Sequence, residues 1–210
     1  MIVLGLDLAT STGACYGRPD TVPEVEVVRA PASGEDYGLF GDFYLTFFER
    51  ILTDLGQRLE PGETLLVNYE APILPPPRWD PIKKRVVVLT TVQTTRKLHF
   101  LGTLLEAMCR RLARMFGWAI DCRECMIQAI KNELTGKRNA TKTDMIFVAR
   151  RLGVRLPPGP EAGDGADALG AWLLALRHHA PQDARRWDAL LYGRSAPQER
   201  LSAAEARKLL

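Results

Sequence analysis

From Ala168 to Leu174 the chain reads Ala-Leu-Gly-Ala-Trp-Leu-Leu, and a helix of that composition is apolar on nearly every side. Such a helix has to be packed inside a fold rather than laid on its surface. The helical segment 164–178 nevertheless opens with Asp164 and Asp167. Three residues apart, the two acids share a face, and that face continues into Ala171 and Leu174. They therefore sit on the buried stripe. Asp164 can be explained as an N-cap. Asp167 cannot, and an inward carboxylate needs a positive partner. No Arg or Lys near it in its own helix offers one; a cation does.

The rest of the chain supplies something for this helix to pack on. Residues 2–8 predict a first strand. Ser11-Thr12-Gly13 predicts a tight turn into a second strand at Ala14–Gly17, and Glu24–Ala30 a third. Phe40, Phe43, Phe47, Ile51, Leu55 and Leu59 recur at helical spacing from Tyr37 to Leu59. Thr64–Glu70 reads as a strand, and the prolines from Pro72 to Pro81 as an extended surface loop. Helix is predicted over Thr90–Gly117, strand over Trp118–Cys122, and helices over Glu124–Leu134 and Thr141–Leu152. Three strands followed by alternating helix and strand predict an α/β sandwich with a mixed sheet. With 210 residues, 46% of them hydrophobic, one domain with a substantial core is expected. Residues 1–180 are assigned to it and 181–210 to a C-terminal extension of unknown role.

Several function classes are disfavoured. No apolar run is long enough to cross a membrane and no signal-peptide pattern precedes Asp7, so a cytoplasmic protein is expected. Cys122 and Cys125 form a lone CxxC without a second pair or nearby histidines, which reads as ordinary reduced cysteine rather than zinc. The net charge of +3 is mild, but between Glu124 and Arg155 seven bases face three acids. That stretch can contact phosphates or be a solvated helix face.

Side chains alternate along strands, so Val3, Gly5 and Asp7 share one face of the first strand, as do Leu66, Asn68 and Glu70 on the fourth. If the two strands are parallel neighbours, Asp7 and Glu70 meet at their carboxyl ends, where open α/β sheets place their sites. Four carboxylates without cysteine or histidine suit a hard divalent ion, Mg²⁺ or Mn²⁺. Two such ions activate water and stabilise the leaving oxygen of a phosphodiester. Asn68 either orients a water there or holds a backbone group.

Gly5-Leu6-Asp7-Leu8-Ala9-Thr10-Ser11-Thr12-Gly13, Tyr69-Glu70-Ala71-Pro72 and Asp164-Gly-Ala-Asp167-Ala168-Leu169 together resemble the RuvC Holliday-junction resolvases, in particular their phage and prophage relatives. The segment Lys131 to Lys142, with its Thr135-Gly136 turn, is similar to the family's two lysines eleven residues apart. The resemblance covers about residues 1–178. It implies an RNase H-like fold with a mixed five-stranded sheet flanked by helices, a homodimer, and two Mg²⁺ ions per site, with Mn²⁺ as a substitute. The activity it implies is paired nicking of four-way DNA junctions. The metal ligands carry over onto Asp7, Glu70, Asp164 and Asp167. Lys131 falls near the scissile phosphate and Lys142 on the DNA backbone.

Residues 73–97 depart from the bacterial resolvase pattern. Lys83, Lys84 and Arg85, with Lys137 and Arg138 further on, are candidate phosphate contacts. Trp79 either stacks on an opened base or packs within its loop. Forks and flaps, an RNA–DNA hybrid, or junction binding without cleavage stand as alternatives. An actin-like or sugar-kinase ATPase, suggested by Asp7 to Gly13, lacks its second phosphate loop.

Overall fold

A computed structural model describes residues 1–31, 36–72, 78–80, 84–87 and 92–192. Strands β1 (Ile2–Asp7), β2 (Ser11–Gly17) and β3 (Glu24–Arg29) form an antiparallel meander. Helix α1 (Tyr37–Gln57) leads to β4 (Thr64–Glu70), which lies parallel to β1. A short antiparallel ribbon, β5 (Arg78–Asp80) and β6 (Arg85–Val87), precedes α2 (Val92–Phe116). β7 (Ala119–Cys125) then adds parallel to β4, completing a five-stranded sheet of order β3-β2-β1-β4-β7. Helices α3 (Ile127–Thr135), α4 (Lys142–Arg151), α5 (Ala162–His179) and α6 (Pro181–Tyr192) follow. The mixed sheet flanked by helices is the expected architecture.

Alternation along β1 sorts the core into two layers. Ile2, Leu4 and Leu6 pack with Phe40, Tyr44, Phe48 and Leu52 of α1 and with Leu101 and Leu105 of α2. On the other face, Val3 and Leu66 pack with the buried residues of α5, and α3, α4 and α6 close over that helix. α5 is buried on every side from Ala166 to Leu176, as its composition requires. It lies directly on the sheet because glycines face it. A Cβ on Gly5 would stand 2.3 Å from the Ala168 carbonyl oxygen, and one on Gly13 would stand 2.1 Å from that of Asp164. Only glycine allows so close a backbone approach.

Local boundaries differ from the sequence reading in four places. Ser11-Thr12-Gly13 is not a turn: β2 begins at Ser11, pairing with Arg29, and the bend lies one residue earlier. β7 runs on to Cys125, held in register with Glu70, and α3 starts only at Ile127. α5 begins at Ala162 with Glu161 at its N-cap, so Asp164 lies in the first turn and is not the cap. Residues 78–80, expected as loop, form one strand of the ribbon, while 73–77 and 81–83 lie outside the described residues.

α6 packs on α5. Trp187 meets Trp172 edge to face at 5.3 Å and donates to the Pro19 carbonyl, and Asp188 pairs with Arg177 at 2.5 Å. Residues 193–210 lie outside the described residues. Cys122 and Cys125, three positions apart on β7, belong to opposite layers, so they share no site; all four cysteines are free. No helix among the described residues is long and apolar enough to cross a membrane.

Candidate functional site

Each of the four acids has a separate structural reason for being where it is. β1 and β4 run parallel with Leu6 opposite Tyr69, so Asp7 and Glu70 leave the sheet side by side on the face that meets α5. Gly13 of β2 lies opposite Asp7, and it is on Gly13 that the Asp164 backbone rests. That contact sets the first turn of α5 over the end of β1. Asp167 follows one turn later, and it is only 4% exposed.

The carboxylates feel one another. Burial, then the charges of Glu70, Asp167 and Asp164, raise Asp7 well above the usual carboxylate range, with Lys142 opposing. Burial first and Asp167 second push Glu70 up to about 7, against the pull of Lys131 and Lys142. Burial raises Asp167 as well. A protein gathers negative charge in this way at a cost, which a bound cation reverses.

Two side chains hold Asp164. The Ser11 hydroxyl donates to its Oδ2 at 2.7 Å, and the Lys142 ammonium donates to its Oδ1 at 2.8 Å. The same ammonium lies 4.0 Å from Asp167 Oδ2. A positive partner for the α5 acids thus arrives not from α5 itself but from α4, the α-helix before it. Oδ1 of Asp167 remains: it is buried and has no hydrogen-bond partner. An orphaned carboxylate oxygen inside a protein is costly and points to a ligand. Among the described residues no three acidic, histidine or cysteine side chains already enclose a single ion position. The chemistry of the set nevertheless fits a hard divalent cation. The donors are all anionic oxygens, mutually repelling, with one lacking any partner.

The expected residues fall in different places. Lys131, on α3, is half-buried, and its charge acts on Glu70 and Asp167. Lys142 reaches the acids themselves. Lys137 and Arg138 are exposed in the turn between α3 and α4, which Gly136 enters in a left-handed conformation. Lys84 is exposed in the ribbon turn, at φ 47°. Lys83 lies outside the described residues, and Trp79 and Arg85 are described as backbone only. Asn68 donates a long hydrogen bond, 3.5 Å, to the Ala171 carbonyl, tying β4 to α5.

Sequence reasoning missed Ser11, Gly5 and Gly13. The signal was present: glycine on one face of β1 and β2, opposite a helix rich in Gly and Ala. It also missed the brace under the bend between β1 and β2. There Tyr44 donates to the Ala9 carbonyl at 2.5 Å, and Thr12 donates to the same oxygen at 2.8 Å.

The fold, with these acids around the carboxyl ends of two interior strands, is an RNase H-like one, and solved structures share it. Thermus thermophilus RuvC aligns at 17% identity over 88% of this chain and 98% of its own, with a TM-score of 0.54. T. thermophilus RuvC in complex with a Holliday junction substrate aligns at 17% identity over 87% and 96%, with a TM-score of 0.53. No family model matches the chain, and no curated protein matches it.

Proposed function

We propose that this chain is a metal-dependent endodeoxyribonuclease that resolves four-way DNA junctions by paired nicks, acting as a homodimer. The observation that carries the reading is the convergence of Asp7, Glu70, Asp164 and Asp167, with a buried Asp167 oxygen left without a partner. The likeness to a RuvC structure holding a Holliday junction supports the choice of substrate. A phage or prophage lineage belongs to the same reading and rests on the motif resemblance.

In it, the four carboxylates are the ligands of two Mg²⁺ ions, for which Mn²⁺ substitutes. Bound there, Mg²⁺ supplies an activated water and charge stabilisation at the leaving oxygen. The chain's own residues do the remaining work. Ser11 and Lys142 orient Asp164, among the described residues the only one of the four with two side-chain donors. Lys131 faces the phosphoryl oxygens, where negative charge grows in the transition state. Lys142, beside its hold on Asp164, and Lys137, Arg138, Lys83, Lys84 and Arg85 bind backbone phosphates, and Trp79 stacks on an exposed base. Binding through phosphates weakens steeply with salt.

The deciding experiment sets a labelled four-way junction with Mg²⁺ beside linear duplex, a fork, a flap and an RNA–DNA hybrid, each repeated with Asp7→Asn. Paired nicks in opposed strands of the junction, abolished in the variant while binding persists, are the expected result. Cutting of every branched form widens the substrate, and cutting of the hybrid replaces it. Tight binding with no cutting in Mg²⁺ or Mn²⁺ leaves a junction-binding protein.

A further inference from the structure

α4 has an outward face that the carboxylate site does not use. Its inner side is Met145 and Ala149, with Leu152 following, all buried. The opposite side presents Thr143, Phe147, Arg150 and Arg151, all exposed and spaced to share one surface. Phe147 is 66% exposed, more than any other large apolar side chain among the described residues. Lys137 and Arg138 stand in the turn just before this helix. Among the described residues none of these four basic side chains forms an ion pair or a side-chain hydrogen bond. The acid on α4, Asp144, is held in the capping box with Thr141.

Phe116, the exposed phenylalanine that ends α2, lacks this setting. Its ring is stacked on Trp118 at 4.5 Å. It lies beside the start of β7, which runs parallel to β4, so it is at the opposite end of the strands from Asp7 and Glu70. Phe147 has no ring contact among the described residues, and its helix begins with Lys142, already at the acids. Five residues separate the two, about 7.5 Å along the axis and about 140° around it, so Lys142 turns to the acids while Phe147 faces outward, toward DNA that runs on past the site.

We propose that the outward face of α4 is a docking surface for the DNA strand beside the cleaved phosphate, with an unstacked base lying on the Phe147 ring and Arg150 and Arg151 on the flanking phosphates. The inference rests on the nuclease reading above. A flat apolar ring among unpaired cations matches a polyanion that offers π-faces. Bases inside a duplex are already stacked, whereas a branch point exposes them, so the ring selects branched or single-stranded DNA.

The test uses Asp7→Asn protein, which binds without cutting, and a four-way junction carrying 2-aminopurine at successive positions around its centre. Binding is expected to change the fluorescence at one position, and adding Phe147→Ala is expected to abolish that change. Loss of one stacking contact is expected to weaken binding at least about fivefold. Phe147→Trp restores both. Arg150→Ala with Arg151→Ala lowers the salt slope of binding by about two. Because the ring is exposed, Phe147→Ala keeps the urea midpoint of the parent. Unchanged affinity and unchanged fluorescence at every position overturn the inference. So does conversion of a dimer to a monomer with the fluorescence change intact, which makes the face a protein–protein contact. If wild-type protein cuts the junction and only Phe147 is silent, this inference alone falls. If neither wild type nor Asp7→Asn engages any DNA, the nuclease reading falls first and takes this surface with it.

Discussion

The two faces of the sheet are filled by opposite means. Towards α1 the space is taken by large rings: Phe40, Tyr44 and Phe48 are fully buried, with Tyr44 in contact with both, 4.9 Å from Phe40 and 5.8 Å from Phe48. Towards α5 the strands offer Gly5 and Gly13, and the helix backbone settles onto them. A thick layer of side chains stabilises by area and tolerates small shifts of its helix. A backbone in contact with a strand does not, because no rotamer can absorb a displacement. The candidate site stands on the second kind of layer, where a ligand's position is set by the main chain.

The largest expected effect breaks the thick layer. Phe48→Ala should lower stability by about 3–5 kcal/mol in urea unfolding, while any folded fraction keeps the metal affinity of the parent. If metal affinity falls in step with stability, the two layers are not separable in this way.

Charge comes next. In the unfolded chain Glu70 ionises near its ordinary 4.5, but in the folded protein only near 7, so ionisation opposes folding as pH rises through that window. Metal-free Glu70→Gln should therefore be more stable than wild type at pH 8, by up to about 3 kcal/mol. The gap should close by pH 4 and narrow at pH 8 when Mg²⁺ is added. A gap independent of pH would mean that Glu70 is not confined with the other acids.

Gly13→Ala tests the thin layer. Its methyl group would press on the Asp164 carbonyl, costing about 1–3 kcal/mol. A displacement of Asp164 by an ångström is expected to cut junction cleavage about a hundredfold, with junction binding retained. Cleavage at the wild-type rate would show that α5 can rise without disturbing its acids.

Ser11→Ala removes one of the two donors on Asp164 and should cost about 1 kcal/mol, with a small loss of Mn²⁺ affinity by calorimetry. The smallest effect concerns Cys125, beside Glu70 on β7. Burial pushes its thiol up to about 12, so it should resist alkylation at pH 8 until the protein is unfolded. Fast labelling of the native protein would mean that this edge of the sheet is open to solvent.

Much of this was legible in the residues. The order of elements followed from apolar periodicity, and α5 had to be interior because its composition left it no wet side. Asp7 and Glu70 could be paired because alternation gives each strand end a face. The boundaries around the site were less legible. β2 starts early because Ser11 pairs with Arg29, and β7 runs to Cys125 because Glu70 provides a partner. Both are decided by a neighbouring strand that no local window contains.

The sequence by itself determined an α/β chain, two strands ending in acids, and a buried helix beginning with two more. Only the tertiary structure decided that β1 and β4 are adjacent and parallel, that α5 descends onto Gly5 and Gly13, and that Lys142 and Ser11 reach Asp164. The physical reason is range. Helical and strand periods are local properties of the chain, whereas a backbone contact or an ion pair depends on residues 22 to 153 positions apart being brought together by the whole core.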